Sequence, residues 1–105
     1  MIKSPTPYYA VIFTTTLSEQ QEGYVEKAKE MEALAQQQPG YLGMDSARAD
    51  IGITVSYWAS LEAIDRWRNN SLHRKAKALG KSQWYDSYEL KICEVLTQIH
   101  KNKHI

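Results

Sequence analysis

Hydrophobic and polar residues alternate along four stretches of this 105-residue chain, and each stretch predicts a β-strand: residues 8–14, 41–48, 52–58 and 84–96. The first stretch is apolar on both faces, because Tyr9 and Val11 lie on one face while Ala10 and Ile12 lie on the other. Two apolar faces are typical of a central strand that is covered on both sides of its sheet.

A first helix is predicted between the first two strands. Ser18 and Gln21 fit a capping box, in which the serine bonds forward and the glutamine reaches back. Apolar residues then recur on one stripe as far as Ala35, opposite glutamates and lysines. The helix should end near Gln38, because the Pro-Gly pair at 39–40 cannot continue it.

A second helix is predicted from Ser60, whose hydroxyl can accept an unpaired backbone N–H of the first turn. Leu61 and Trp67 then fall on one face. The residues at 69–71 interrupt this pattern, and we expect Ser71 to cap a second helical piece. We expect that piece to stop at Gly80 in a left-handed conformation.

The predicted order of elements is β-α-β-β-α-β, which is the ferredoxin-like α+β arrangement in a single domain, residues 1–105. Residues 1–7 should form an irregular lead-in, and residues 98–105 a mobile tail. The helices can cover only one face of the sheet, so the apolar second face predicts a partner. A second copy of the chain is the economical answer, which gives a homodimer through the sheet face.

Composition excludes several classes of function. The net charge of +1 provides no electrostatic case for nucleic acid or for an acidic membrane surface. No apolar run approaches the ~20 residues that span a bilayer. The single cysteine cannot form an intrachain disulfide, so a cytoplasmic location is the simplest expectation. We find no glycine-rich phosphate loop and no HExxH motif. His100 and His104 have the i, i+4 spacing of a metal-binding pair but lack a third ligand, so we expect no metal.

His73 is the principal candidate for chemistry, since it follows Trp67 by six residues on the second helix. An imidazole with a pKa near 6.5 can act as a general base at neutral pH. The alternative is a half-exposed histidine that only makes a structural hydrogen bond. Trp67 is expected to line a pocket for a flat aromatic ligand, with Tyr57, Tyr85 and Asn70 as further substrate-binding candidates.

Each of these candidate residues also has a purely structural interpretation. The tyrosines on strands fill edges and interfaces more often than they bind ligands, and a helix break explains Asn70 equally well. Arg48 and Lys91 lie on strands, where an inward cation would stabilise an enolate, but we expect both to face solvent.

Several motifs together resemble the antibiotic biosynthesis monooxygenase family of dimeric α+β barrels, and in particular its small, YqjZ-like bacterial branch. They are QPGYLG at 38–43, GITVSYW at 52–58, EAIDRW at 62–67, His73, and WY at 84–85. The resemblance implies a homodimer and an oxygenase that needs no metal or flavin. In such enzymes the bound phenol or anthrone is deprotonated and its anion reduces O₂ directly. The tryptophan that lines the pocket in such members corresponds to Trp67.

Two functions remain open from the sequence. The first is a cofactor-independent monooxygenase of a small aromatic or quinol-type compound, with His73 and Trp67 as its catalytic pair. The second is a non-catalytic dimer that binds an aromatic molecule or heme, for instance in a stress response. Heme degradation by the route of related proteins is disfavoured, because the axial histidine of that branch falls at or near Lys77 here.

Overall fold

The structure, a computed structural model, describes residues 4–101 and consists of four strands and three α-helices. The elements in chain order are β1 (Tyr8–Leu17), α1 (Tyr24–Gln36), β2 (Tyr41–Arg48), β3 (Gly52–Trp58), α2 (Leu61–Arg68), α3 (Ser71–Leu79), a π-helical turn (Gly80–Trp84) and β4 (Tyr85–Val95). Residues 1–3 and 102–105, the outer parts of the predicted lead-in and tail, lie outside the described residues.

The four strands form one antiparallel sheet in the order β2-β3-β1-β4. This order, with all helices packed on one face, is the predicted ferredoxin-like α+β fold. The first strand is central, as its two apolar faces predicted, and pairs with β3 on one side and β4 on the other. Ala10, for example, lies between Tyr57 of β3 and Cys93 of β4.

The core lies between the sheet and the helices. Six buried side chains form it, from both layers: Val11, Ala35, Trp58, Ala63, Ile64 and Trp67. Trp58 is fully buried, and its Nε1 donates a hydrogen bond to the hydroxyl of Ser56, at 2.9 Å. The predicted N-cap of α2 is confirmed, since Ser60 Oγ accepts from the backbone N–H of Ala63, at 3.1 Å.

Three local predictions are wrong. The helix α1 does not begin at the Ser18 box, because Ser18 accepts from the backbone N–H of Gln20 in a turn and the helix begins at Tyr24. Asn70, and not Ser71, is the N-cap of α3. Gly80 has right-handed helical dihedral angles, so the chain continues into the π-helical turn without the predicted left-handed stop.

The face of the sheet opposite the helices is open in the single chain. Ile53 is 45% exposed on it, and Val55 is half-buried. Tyr8 is nevertheless buried there, because its ring contacts that of Tyr57 and its hydroxyl donates to Oε1 of Gln98, at 2.8 Å. This open face is the surface that the sequence predicts to meet a second copy of the chain.

Candidate functional site

A cavity of about 640 Å³ lies between the sheet and the helices α1 and α3, and its walls are mostly apolar and aromatic. Among the sequence-predicted residues, Trp67, His73 and Tyr85 line it together. Its size falls within the range of about 300–1,000 Å³ that is usual for small-molecule sites, and its lining has the usual apolar character. It is therefore the candidate site of the molecule.

Four rings in contact lead from the core to the cavity. Tyr41 meets Trp58 edge-on, at 5.5 Å between ring centroids, and Trp58 stacks on Trp67 at 6.0 Å. Trp67 in turn stacks on His73, with centroids 4.0 Å apart and only 13° between the planes. Because Trp58 and Trp67 are buried, this stack holds the imidazole of His73 in one orientation against the cavity.

The hydrogen bond of His73 defines which ring nitrogen is available. Nδ1 lies 2.9 Å from the carbonyl oxygen of Trp67. A carbonyl can only accept, so Nδ1 carries the proton and Nε2 of the neutral ring has the free lone pair. Nε2 has no hydrogen-bond partner within residues 4–101, and no fully buried side-chain nitrogen or oxygen in that part is unpaired. We conclude that Nε2 is accessible from the cavity.

His73 is a weaker base than its residue type suggests. Burial lowers the pKa of His73 from 6.5 to about 4, and the positive charges of Lys77 and Arg68 lower it further, against the opposing effect of the bond to Trp67. The imidazole is therefore neutral at neutral pH. It offers a hydrogen-bond acceptor at Nε2, but a poor proton acceptor for a substrate of ordinary phenolic pKa.

Arg48 occupies another part of the cavity wall. Although the residue is exposed overall, its guanidinium bends back over the sheet, where Nη2 donates to Thr15 Oγ1 and, at 3.4 Å, to the hydroxyl of Tyr24. The guanidinium carbon lies 5.6 Å from the centroid of the Tyr24 ring, in cation–π geometry. Sequence reasoning expected Arg48 to face solvent and so missed it as a site residue. Lys91 does lie on an exposed surface, paired with Glu89.

Tyr85 is a neutral hydrogen-bond donor in this cavity. Burial is the main effect that raises its pKa to about 12, with a further contribution from Tyr24 and an opposing one from Arg48. Its ring packs edge-on against Phe13, at 5.5 Å between centroids. Within residues 4–101 its hydroxyl has no hydrogen-bond partner and is open to a ligand.

The other two predicted substrate-binding residues lie elsewhere. Tyr57 is on the opposite face of the sheet, where its hydroxyl donates to Oδ2 of Asp45, at 3.0 Å. Burial is the main effect that raises the pKa of Tyr57, assisted by Asp45. Asn70 is used as the N-cap of α3, and its Oδ1 accepts from the backbone N–H groups of Leu72 and His73. The structure brings neither side chain into the cavity wall.

The fold and the cavity define a ferredoxin-like α+β domain with a cavity lined largely by apolar and aromatic side chains. The chain belongs to the antibiotic biosynthesis monooxygenase family, whose model matches residues 7–79. It is 51% identical over 96 residues to the uncharacterized protein YqjZ of Bacillus subtilis (strain 168), a match that covers 89% of this chain and 84% of that protein.

Solved structures support the same fold. The protein Rv0793 from Mycobacterium tuberculosis superposes with a TM-score of 0.77 at 13% identity, covering 90% of this chain and all of that one. The protein SO0527 from Shewanella oneidensis has a TM-score of 0.77 at 7% identity and covers 93% of this chain and all of that one. At such low identity these similarities establish the fold alone.

Within residues 4–101, every helix is too short or too polar to span a bilayer. No three His, Cys, Asp or Glu side chains in that part of the chain come together as a metal site would require.

Proposed function

We propose that this protein is a cofactor-independent monooxygenase that uses O₂ to oxidise a small aromatic compound of the anthrone or quinol type. The observation that supports this proposal best is the accessible Nε2 of His73, held by the ring stack of Trp67 at the wall of an aromatic cavity. Membership of the family supports the same reaction class.

The proposed reaction balances without a further reductant. An anthrone methylene group loses one proton, and the resulting anion transfers electrons to O₂. A carbon–oxygen bond forms, the second proton leaves the same carbon, and the O–O bond breaks. One oxygen atom remains as the new carbonyl and the other leaves as water with both protons. The protein's part is to hold the anion in a dry, aromatic cavity and to accept and return a proton.

His73 performs this part as a hydrogen-bond acceptor more than as a strong base. Moving a proton from a hydroxyl of pKa about 10 to an imidazole of pKa about 4 is uphill by about 8 kcal/mol. The charges of Lys77 and Arg68, which lower the pKa of His73, stabilise a substrate anion in the same cavity. The substrate hydroxyl or methylene group therefore has to be acidic, or acidified by these cations.

We further propose that the working unit is a homodimer through the open face of the sheet, located in the cytoplasm. The exposed side chain of Ile53 and the half-buried Val55 on that face support the dimer. The single cysteine supports a reducing compartment.

Oxygen uptake with dithranol, a model anthrone, tests the reaction. The wild type should consume O₂ in proportion to protein, and His73→Ala should lose about 10²-fold or more of the rate. His100→Ala is the matched control, since His100 lies in the exposed C-terminal segment outside the cavity wall and its removal should leave the rate unchanged. Equal rates for wild type and His73→Ala would overturn the assignment of His73.

The second candidate function is binding of an aromatic molecule without turnover. The low pKa of His73 favours it, because a weak base is adequate for a binding contact. Heme is one such ligand: Nε2 of His73 is free to coordinate iron while Nδ1 bonds to a carbonyl, which is usual for ligating histidines. A hemin titration in which wild type, but not His73→Ala, shifts the Soret band would support this alternative.

A further inference from the structure

The cavity has a strong local excess of positive charge. Of the described residues, 4–101, only one carboxylate lines it, that of Glu32, against six cationic side chains: Lys27, Lys29, Arg48, Arg68, Lys77 and Lys81. The chain as a whole has a net charge of only +1, so the excess belongs to this cavity. Within residues 4–101, Lys27 is the only one of the six with an ion-pair partner, Glu30 at 3.1 Å.

The cations near His73 are crowded. Burial lowers the pKa of Lys77, and the charges of Arg68, Lys81 and Arg74 lower it further. Its ammonium group donates to the carbonyl oxygen of Arg68, at 3.2 Å, and has no carboxylate partner in the described residues. Such an arrangement leaves repulsion uncompensated in the free protein, and a bound anion would relieve it.

Arg48 is prepared to receive a carboxylate. Its guanidinium is oriented by Thr15 and Tyr24 through Nη2 alone. The N–H groups of Nε and Nη1 have no partner within residues 4–101. They lie on opposite sides of the guanidinium, and either can donate a charge-assisted hydrogen bond to a carboxylate oxygen.

Gly52 makes this orientation of Arg48 possible. The two residues are paired across the β2–β3 turn, and Gly52 is buried beneath the guanidinium. A Cβ at position 52 would overlap Nη2, Cζ and Nε of Arg48. The absence of a side chain at Gly52 therefore allows the guanidinium to cross the sheet toward Thr15.

We propose that this cavity selects aromatic anions, and that Arg48 binds a carboxylate group on the aromatic ligand. The proposal rests on the function proposed above only in that the same cavity holds the substrate. It specifies the substrate class: an aromatic carboxylate, with its ring between the helices and the sheet and its charge at Arg48.

Calorimetric titration with 2-naphthoate and its neutral analogue 2-naphthamide tests the proposal without turnover. The wild type should bind the carboxylate about tenfold or more tightly than the amide, since a charge-assisted pair exceeds a neutral contact by about that factor. Added salt should weaken the binding of naphthoate and leave that of naphthamide unchanged.

Two variants examine Arg48 in different ways. Arg48→Gln removes its charge and its hydrogen bonds and should reduce the ratio of the two dissociation constants to about threefold or less, a remainder due to the other cations of the cavity. Gly52→Ala keeps every charge but displaces the guanidinium, and should reduce the ratio to about threefold or less. Gly52 does not need a positive φ, and the group displaced is the end of a flexible side chain, so the alanine variant should fold. Thermal unfolding followed by circular dichroism confirms folding for each variant.

The matched control is Lys75→Gln, which removes one positive charge from the exposed surface of α3, outside the cavity wall, and should keep the wild-type ratio. Equal affinities for naphthoate and naphthamide in the wild type, or a failure of naphthoate to bind, would overturn the proposal. So would a wild-type ratio in Arg48→Gln.

The outcome is separable from that of the oxygenase proposal. Arg48-dependent binding of naphthoate with no oxygen uptake from any anthrone would support the carboxylate selectivity and contradict the oxygenase reaction. Rapid oxidation of dithranol with equal affinities for naphthoate and naphthamide would support the oxygenase reaction and contradict the carboxylate selectivity.

Discussion

Acidification should destabilise this protein through His73. Burial lowers the pKa of His73 from 6.5 to about 4 in the folded chain, whereas the unfolded chain has the ordinary value. Between these two values the unfolded chain binds a proton that the folded chain does not, so a fall in pH favours unfolding. The full difference corresponds to about 3 kcal/mol. The loss should begin as the pH falls through 6.5 and be complete below about 4.

Urea denaturation across this pH range, for wild type and His73→Gln, measures the effect. Other groups that titrate contribute to both proteins and cancel in the difference. The stability advantage of the wild type over His73→Gln should therefore shrink by about 3 kcal/mol between neutral pH and about pH 4. An NMR titration of the imidazole gives the pKa of His73 directly. Parallel stability curves, or a measured pKa at or above 6.5, would refute the reasoning.

Four further predictions concern the core, the dimer and the reaction. Trp67→Ala should cost about 3–5 kcal/mol of unfolding free energy in urea, as is usual for a large buried aromatic residue. Ser56→Ala should cost about 1–3 kcal/mol in the same assay, because it leaves the buried Nε1 of Trp58 unpaired, and a neutral result would contradict that hydrogen bond. Light scattering at micromolar concentration should show a dimer for wild type and a monomer for Ile53→Lys, and a wild-type monomer would contradict the proposed interface. The pH profile of oxygen uptake should follow the pKa of the substrate, and a profile centred on about 4 would instead assign the limiting proton to His73.

Strand periodicity was sufficient to predict the sheet. The alternation in residues 52–58 predicted β3 to the residue, and the two apolar faces of the first strand predicted its central place. These signals succeed because the side-chain period of a strand is set by the backbone, so a buried face has to appear in the sequence.

Tertiary contacts explain two of the wrong predictions. The backbone N–H of Ser18 donates to the carbonyl oxygen of Trp84, at 2.7 Å, so the chain at Ser18 is still tied to the sheet edge and the helix begins later. At Gly80, the ring of Tyr85 lies where a Cβ would be. Glycine is required there for close approach and not for a left-handed stop, and the sequence alone does not distinguish these two uses.

A register shift in β2 determines which face of the sheet Arg48 occupies. Tyr41 and Met44 both pack against the core although they are three residues apart, since the pairing with β3 shifts between Tyr41 and Gly43. Strict alternation of side chains from Tyr41 would place Arg48 on the open face of the sheet. The extra residue at the bulge between Tyr41 and Gly43 places Arg48 on the helix side instead. A glycine inside a strand is the one sequence signal that could have indicated this bulge.

The weak base and the cationic cavity support one account of the site. A histidine of pKa about 4 cannot ionise an ordinary phenol, but six cationic side chains outweigh one carboxylate among the described residues around the same cavity, and would lower the pKa of an acidic group placed beside them. Burial is the main cause of the low pKa of His73, and the charges of Lys77 and Arg68 add to it. Those same charges would strengthen the substrate as an acid by stabilising its anion, which is the species that reacts with O₂ in the proposed reaction. On this account the protein favours a substrate that is ionised when bound, and Nε2 of His73 serves to direct one hydrogen bond and to return the proton after oxygen has been added.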